Sequence, residues 1–242
     1  MFRSIVFCLI FILPSQLAAQ VFPEKAFYRF DPQKPPVVNV DVINSHPTRT
    51  MRVETTSIKV NAPGEKDEQS TSEGALLVSP KSFSLAPNSR RTVRLLLKAK
   101  PTTTEDVYRV AFEPKSFSEE VAAIVNSNEA KKTTPQLAVL IGGGILVFAP
   151  PQNAKKELSW EKTSEGLLLT NTGDVNLLLS ATESCQLGGT KCEGTDQGKR
   201  LYAGKSMTLK GGPVFHLEWE PVETPMQKFT IETSRGKKEF SE

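Results

Sequence analysis

Short runs that alternate apolar and polar residues, each cut off by proline, glycine or asparagine, recur along this chain and leave room for little but a β protein. Val37–Ile43 (VVNVDVI) stops at Asn44-Ser45-His46-Pro47, and Phe83–Leu85 stops at Ala86-Pro87-Asn88 before Thr92–Leu97 (TVRLLL) begins. Ala26–Phe30, Met51–Val60, Leu76–Val78 and Val107–Phe112 (VYRVAF) have the same character, while Ala62–Glu73 reads as a polar loop. Leu137–Phe148 is a longer apolar run, and no stretch sustains a helical period. Seventeen prolines and 15 glycines serve the same reading, since both interrupt helices and central strands. So many strands in one half of the chain predict an immunoglobulin-like sandwich.

Pro150-Pro151-Gln152-Asn153 then ends the long run, because proline fixes φ and lacks a backbone donor. Strand patterning restarts beyond it at Leu158–Glu161, Gly166–Asn171, Val175–Thr182, Arg200–Leu201, Ser206–Lys210, Phe215–Glu220 and Phe229–Thr233. Asn171-Thr172-Gly173-Asp174 between two apolar runs reads as a hairpin turn. The expected organisation is a first sandwich over residues 20–149, a hinge at 150–156 and a smaller second sandwich over 157–242.

Residues 1–19 stand apart from both. Arg3 precedes the apolar stretch Ile5–Leu13, followed by Pro14-Ser15-Gln16 and small residues, which is the pattern of a secretory signal cleaved after Ala19. The apolar run is too short to span a bilayer, which needs about 20 residues. Export to an oxidising compartment would let Cys185 and Cys192, flanking Gly188-Gly189, close a small loop as a disulfide. A metal reading of the pair has little behind it: there is no second pair, and His46 and His216 are the only histidines.

Thirty Lys and Arg against 27 Asp and Glu give a net charge of +3, too even a balance for a nucleic-acid binder. No Ser-His or Cys-His motif suggests a nucleophile, so no enzyme activity is expected. Gly142-Gly143-Gly144 sits inside an apolar run and matches no phosphate loop; it reads as a bend or a close backbone approach within a strand. Arg109 is the outlying residue. A charge amid Val107-Tyr108-Arg109-Val110-Ala111-Phe112 must pair with an acid such as Glu54 or Glu105, extend to solvent, or face a binding site.

The ordered segments Leu76-Leu77-Val78-Ser79-Pro80, Phe83-Ser84-Leu85-Ala86-Pro87 and Thr92-Val93-Arg94-Leu95 resemble the periplasmic chaperones of chaperone–usher pili. Val107-Tyr108-Arg109-Val110 resembles the alternate branch of that family. Ile145–Pro150, Leu169–Gly173, the two cysteines and Leu201-Tyr202-Ala203-Gly204-Lys205 are most similar to its common-pilus type. The resemblance implies an all-β protein of two immunoglobulin-like domains in a boomerang, without cofactor, metal or small-molecule substrate. It implies periplasmic residence, pilin subunits as clients and an outer-membrane usher as recipient, with self-capping association of the free chain as a further expected state. A structural pilus subunit or adhesin is the alternative. By this resemblance Leu137, Val139 and Ile141 are donor side chains, presented to a client that lacks a strand. A register slipped by one residue would present Ala138 and Leu140 instead. Arg109, helped by Lys25 or Arg29, takes the place of the family's clamp on the client's terminal carboxylate, because the usual G-strand lysine is absent from Gly144-Ile145-Leu146. Ala149 stands where relatives often carry an arginine that pairs between domains, so a differently fastened hinge is expected.

Overall fold

Alternation becomes strand pairing throughout. The computed structural model describes residues 19–65, 69–71, 76–115, 140–186, 191–194, 198–211, 214–220, 227–232 and 237–241, and no helix occurs among them. Residues 1–18 of the expected signal 1–19, and the expected donor positions Leu137, Ala138 and Val139, lie outside the described residues, while Ala19 begins β1.

Ten strands build the first unit: β1 (Ala19–Pro23), β2 (Phe27–Arg29), β3 (Val37–Asn44), β4 (Met51–Asn61), β5 (Gln69–Thr71), β6 (Leu76–Ser79), β7 (Ser82–Leu85), β8 (Arg90–Leu97), β9 (Asp106–Lys115) and β10 (Leu140–Ala149). One layer runs β1-β3-β8-β6 and the other β5-β4-β9-β10, with β7 on β4 and β2 on β10. Val93, Leu95 and Leu97 of β8 point inward while Thr92, Arg94 and Leu96 point out, the two-residue period of a half-buried strand. Val40, Val42, Val53, Tyr108, Val110, Phe112 and Val147 complete the core between the layers. The expected polar loop at 62–73 holds one short strand, β5, paired with the end of β4.

The layers meet at β10. Leu140–Gly142 pairs in parallel with β1, whereas Leu146–Phe148 pairs in parallel with β2, so β10 changes partners as it passes from one layer to the other. Leu140 packs on the core and Ile141 is exposed, yet farther along Ile145 and Val147 are the core residues. The phase of alternation therefore shifts across the three glycines. A Cβ on Gly142 would lie 2.5 Å from the Phe112 carbonyl oxygen, and one on Gly143 would lie 2.7 Å from Pro23 Cδ. Close approach of main chains is what the glycine cluster permits.

The second unit contains β11 (Leu158–Thr163), β12 (Gly166–Asn171), β13 (Leu177–Cys185), β14 (Cys192–Gly194), β15 (Lys199–Leu201), β16 (Ser206–Leu209), β17 (Val214–Glu220), β18 (Gln227–Glu232) and β19 (Lys237–Ser241). Its layers are β11-β12-β16 and β14-β13-β17-β18-β19, with β15 on β13. Leu167, Leu169, Leu177, Leu179, Leu209, Phe215 and Leu217 fill the space between them. Cys185 and Cys192 form a disulfide joining β13 to β14.

The expected hairpin at 171–174 is instead a crossover, since β12 and β13 belong to different layers. Buried Asn171 explains the change. Its Nδ2 donates to the carbonyls of Val175 and Leu201, both at 2.8 Å, and its Oδ1 accepts from Gly173 N at 3.0 Å. The chain curls around this amide and cannot turn straight back. The same loop braces the segment after the double proline: Asp174 N donates to Lys155 O at 2.8 Å, and a Cβ on Gly173 would lie 2.4 Å from that oxygen.

Candidate binding site on the first unit

Strand register arranges the outer face of β4, β9, β10 and β2 into two cross-strand rows. Val60, Val107, Phe148 and Arg29 form one; Ile58, Arg109, Leu146 and Phe27 form the next. Tyr108, Val110 and Phe112 point the other way, into the core, so alternation places Arg109 outside.

The first row is sealed. Val60, Val107 and Phe148 are buried as a separate apolar cluster, against which Leu146 and Tyr202 of the second unit pack. Arg29 Nη1 lies 2.5 Å from Glu105 Oε1, and the Glu105 side chain is only 2% exposed. Asn176, from the second unit, donates to the other carboxylate oxygen through its backbone N at 3.0 Å and through Nδ2. Arg200 Nη1 in turn donates to Asn176 Oδ1 at 2.7 Å. Both guanidiniums stack on aromatic rings: Arg29 over Phe148 at 5.2 Å, and Arg200 over Phe148 at 4.8 Å and Phe27 at 4.7 Å. Burial pushes the Glu105 carboxyl above its ordinary value, outweighing the opposite pull of Arg29, Asn176 and Arg200. Tyr202 also covers Gly64, and farther out Lys205 pairs with Glu65 in a contact exposed to solvent.

The proposed clamp residues are thus not brought together as a trio. Arg29 belongs to the buried latch between the units. Arg109 is exposed in the neighbouring row, between Ile58 and Leu146. Lys25 is exposed in the turn from β1 to β2. Of the acids the sequence offered to Arg109, Glu105 pairs with Arg29 and Glu54 lies 3.5 Å from Lys115. Phe27, Phe148, Glu105, Asn176 and Arg200 carry no local signal of this role, because Glu105 meets Arg29 and Asn176 from 76 and 71 positions away, and even Arg200 and Asn176 are 24 apart.

Of the expected donor positions Leu137, Val139 and Ile141, Ile141 alone is among the described residues, and it is 45% exposed; Leu140 of the slipped register packs on the core. Phe22 on the paired strand β1 is exposed as well. From Gly143 to Ala149, β10 is flanked by β9, with β2 on its other side at 146–148. Registered pairing to β9 begins at Gly143, so Leu140–Gly142 lies beyond it. Most of the described run is thus paired within its own sandwich, and only the end that precedes the glycines lacks a registered partner on β9. Among the described residues, the one cluster of side chains suited to a metal is Cys185, Cys192 and His216, in the second unit.

Solved structures with this architecture settle the fold. The class 5 fimbriae chaperone CfaA matches with a TM-score of 0.63 at 18% identity, over 92% of this chain and 99% of that one. The fold is that of the fimbrial chaperones. The Escherichia coli chaperone DraB matches at 0.58 and 15% identity, over 93% and 97% of the two chains. A chain from the complex of the Salmonella enterica pilin SafA with the chaperone SafB matches at 0.56 and 14%, over 84% and 89%. No protein-family model matches the sequence, and no curated protein matches it. The chain thus shares the two immunoglobulin-like sandwiches, set in a boomerang, of these chaperones.

Proposed function

We propose that the chain is a periplasmic pilus-assembly chaperone. It caps pilin subunits by lending them a strand and hands them to an outer-membrane usher. The observation that carries this reading is the end of β10 that precedes its glycines. There Ile141 is exposed, next to a partner strand bearing exposed Phe22, while the rest of the strand is locked into its own sandwich. An apolar strand end held by a rigid scaffold can pair with a sheet that lacks an edge partner, through main-chain hydrogen bonds and alternate side chains. Ile141 facing outward while Leu140 packs on the core supports Leu137, Val139 and Ile141 as the donor face rather than Ala138 and Leu140.

Arg109 and Lys25 are the cations we assign to the client's terminal carboxylate; Arg29 is assigned to the latch. A guanidinium on a flat sheet face offers two parallel N–H groups to a carboxylate. Residues 20–149 are the capping domain, 150–156 the hinge and 157–242 the second domain. The motifs Val107-Tyr108-Arg109-Val110 and Leu201–Lys205 support placement in the common-pilus branch. A pilus subunit would lack the last strand of its sandwich, whereas β10 is present between β9 and β2.

Co-expression with a pilin of the same pilus tests the reading. The chain should hold the pilin soluble in the periplasm and co-purify with it. A variant with Leu137, Val139 and Ile141 all changed to Asp should lose the pilin while remaining folded. Arg109→Ala should also lose capture, with a melting temperature within a few degrees of the parent. Undiminished pilin recovery with the triple variant would reject strand donation.

A further inference from the structure

Cys185, Cys192 and His216 come from three adjacent strands of the second unit. Cys185 and Cys192 are register partners across β13 and β14. His216, on β17, pairs with Glu183, two residues before Cys185 on β13. Sulfur and imidazole donor atoms all lie within 4.8 Å of one another. Cys185 is buried, Cys192 exposed and His216 half-buried, so the group has one open side. Spacing in the sequence gave no sign of it, since the histidine lies 24 positions beyond the second cysteine.

We infer that this group is a redox-gated site for a borderline-soft divalent cation, zinc above all: closed while the disulfide stands and formed when it is reduced. Zinc binds thiolate sulfur at about 2.3 Å and imidazole nitrogen at about 2.0 Å. Tetrahedral coordination needs donors about 3–4 Å apart, so once the sulfur–sulfur bond opens only small side-chain movements separate the present group, within 4.8 Å, from that spacing. Two thiolates and one imidazole are the donor chemistry that favours zinc over magnesium or calcium. With three protein ligands and an exposed side, the fourth position falls to water.

The opening step balances with a dithiol reductant. Its thiolate attacks the exposed Cys192 sulfur, a mixed disulfide forms, and the Cys185 thiolate leaves and takes up a proton. The second thiol of the reductant then displaces Cys192, so the reductant ends as a disulfide and the protein as two thiols. Zinc binding releases both thiol protons and takes a lone pair from an imidazole nitrogen of His216.

Cobalt(II) and zinc titrations of the full-length protein, reduced with a phosphine under argon, test this directly. The expected result is one cobalt per chain with a thiolate-to-metal absorption band, displaced by zinc and absent from the oxidised protein. Loss of a direct ligand should cost more than the 10- to 100-fold typical of outer-shell partners. His216→Ala is therefore expected to weaken binding at least about tenfold, and Cys192→Ser to remove most of the band. His46→Ala, in the other unit, should leave the titration unchanged. Zinc should also slow alkylation of the two thiols. The inference is overturned if no band forms, or if His216→Ala binds like the parent. It is equally overturned if circular dichroism shows that reduction unfolds the second unit and zinc does not restore it.

Discussion

The two ends of β10 differ in almost every physical respect although they are one strand. From Ile145 to Ala149 the side chains are buried or nearly so, the backbone is paired with β9 and β2, and Phe148 lies under two guanidiniums. At Leu140–Gly142 the strand has slipped past its register with β9, takes β1 as partner and exposes Ile141. The glycines between them allow the change of layer that separates the two behaviours. If β10 lends this end as proposed, it must be anchored elsewhere, because an end free at both sides would fray and offer no fixed register.

Breaking the anchored end should have the largest effect. Glu105→Ala leaves Arg29 buried without its carboxylate and removes both acceptor contacts from Asn176, so a loss of about 3–5 kcal/mol is expected in urea unfolding. Glu105→Gln, which keeps the shape and one acceptor, should cost less. The pair also carries a signature in pH. Burial raises the Glu105 pKa in the folded state, so the folded protein holds this proton more tightly than the unfolded chain. The stabilisation is complete below the unfolded-state value and fades as pH climbs through the folded one. Relative to Glu105→Gln, the parent should therefore lose stability as pH rises across that window; the opposite slope would mean that Arg29 outweighs burial.

Ile145→Ala comes next, at about 2–5 kcal/mol, since it opens a cavity in the first core. Gly142→Ala is smaller, about 1–3 kcal/mol, from forcing a methyl group against the Phe112 carbonyl and the Pro114 ring. Its consequence for pilin capture should exceed its cost in stability, because pushing β10 away from β9 moves the end proposed as the donor. Pilin capture that survives Gly142→Ala at parental levels would show that the glycine seam does not position that end.

What the sequence could reveal follows the same division. Local alternation made β3, β8 and β9 legible, the cysteine spacing pointed to the disulfide, and the glycine run was readable as a close backbone approach. The latch was not readable. Arg29, Glu105 and Asn176 are 76 and 71 positions apart, and nothing in the neighbourhood of each distinguishes a buried ion pair from a solvated charge. The absence of an arginine at Ala149 suggested a different fastening without saying which residues supply it. Asn171 misled for a related reason. Asn-Thr-Gly-Asp is sound hairpin chemistry, and only the distant Leu201 carbonyl reveals that its amide is spent on a crossover.

The smallest expected effect sharpens the comparison most. Ile141 and Ile145 are the same residue type four positions apart on one strand, yet one is 45% exposed and the other 3%. Ile141→Ala should shift unfolding by no more than about 0.5 kcal/mol, as for an ordinary surface position. A large isoleucine left half in water contributes little to its own fold. If instead its removal costs as much as that of Ile145, the end of β10 is sealed in solution and has nothing to lend. Near-silence in stability, joined to weakened capture of the pilin, is the combination that an exposed donor side chain produces and a core side chain cannot.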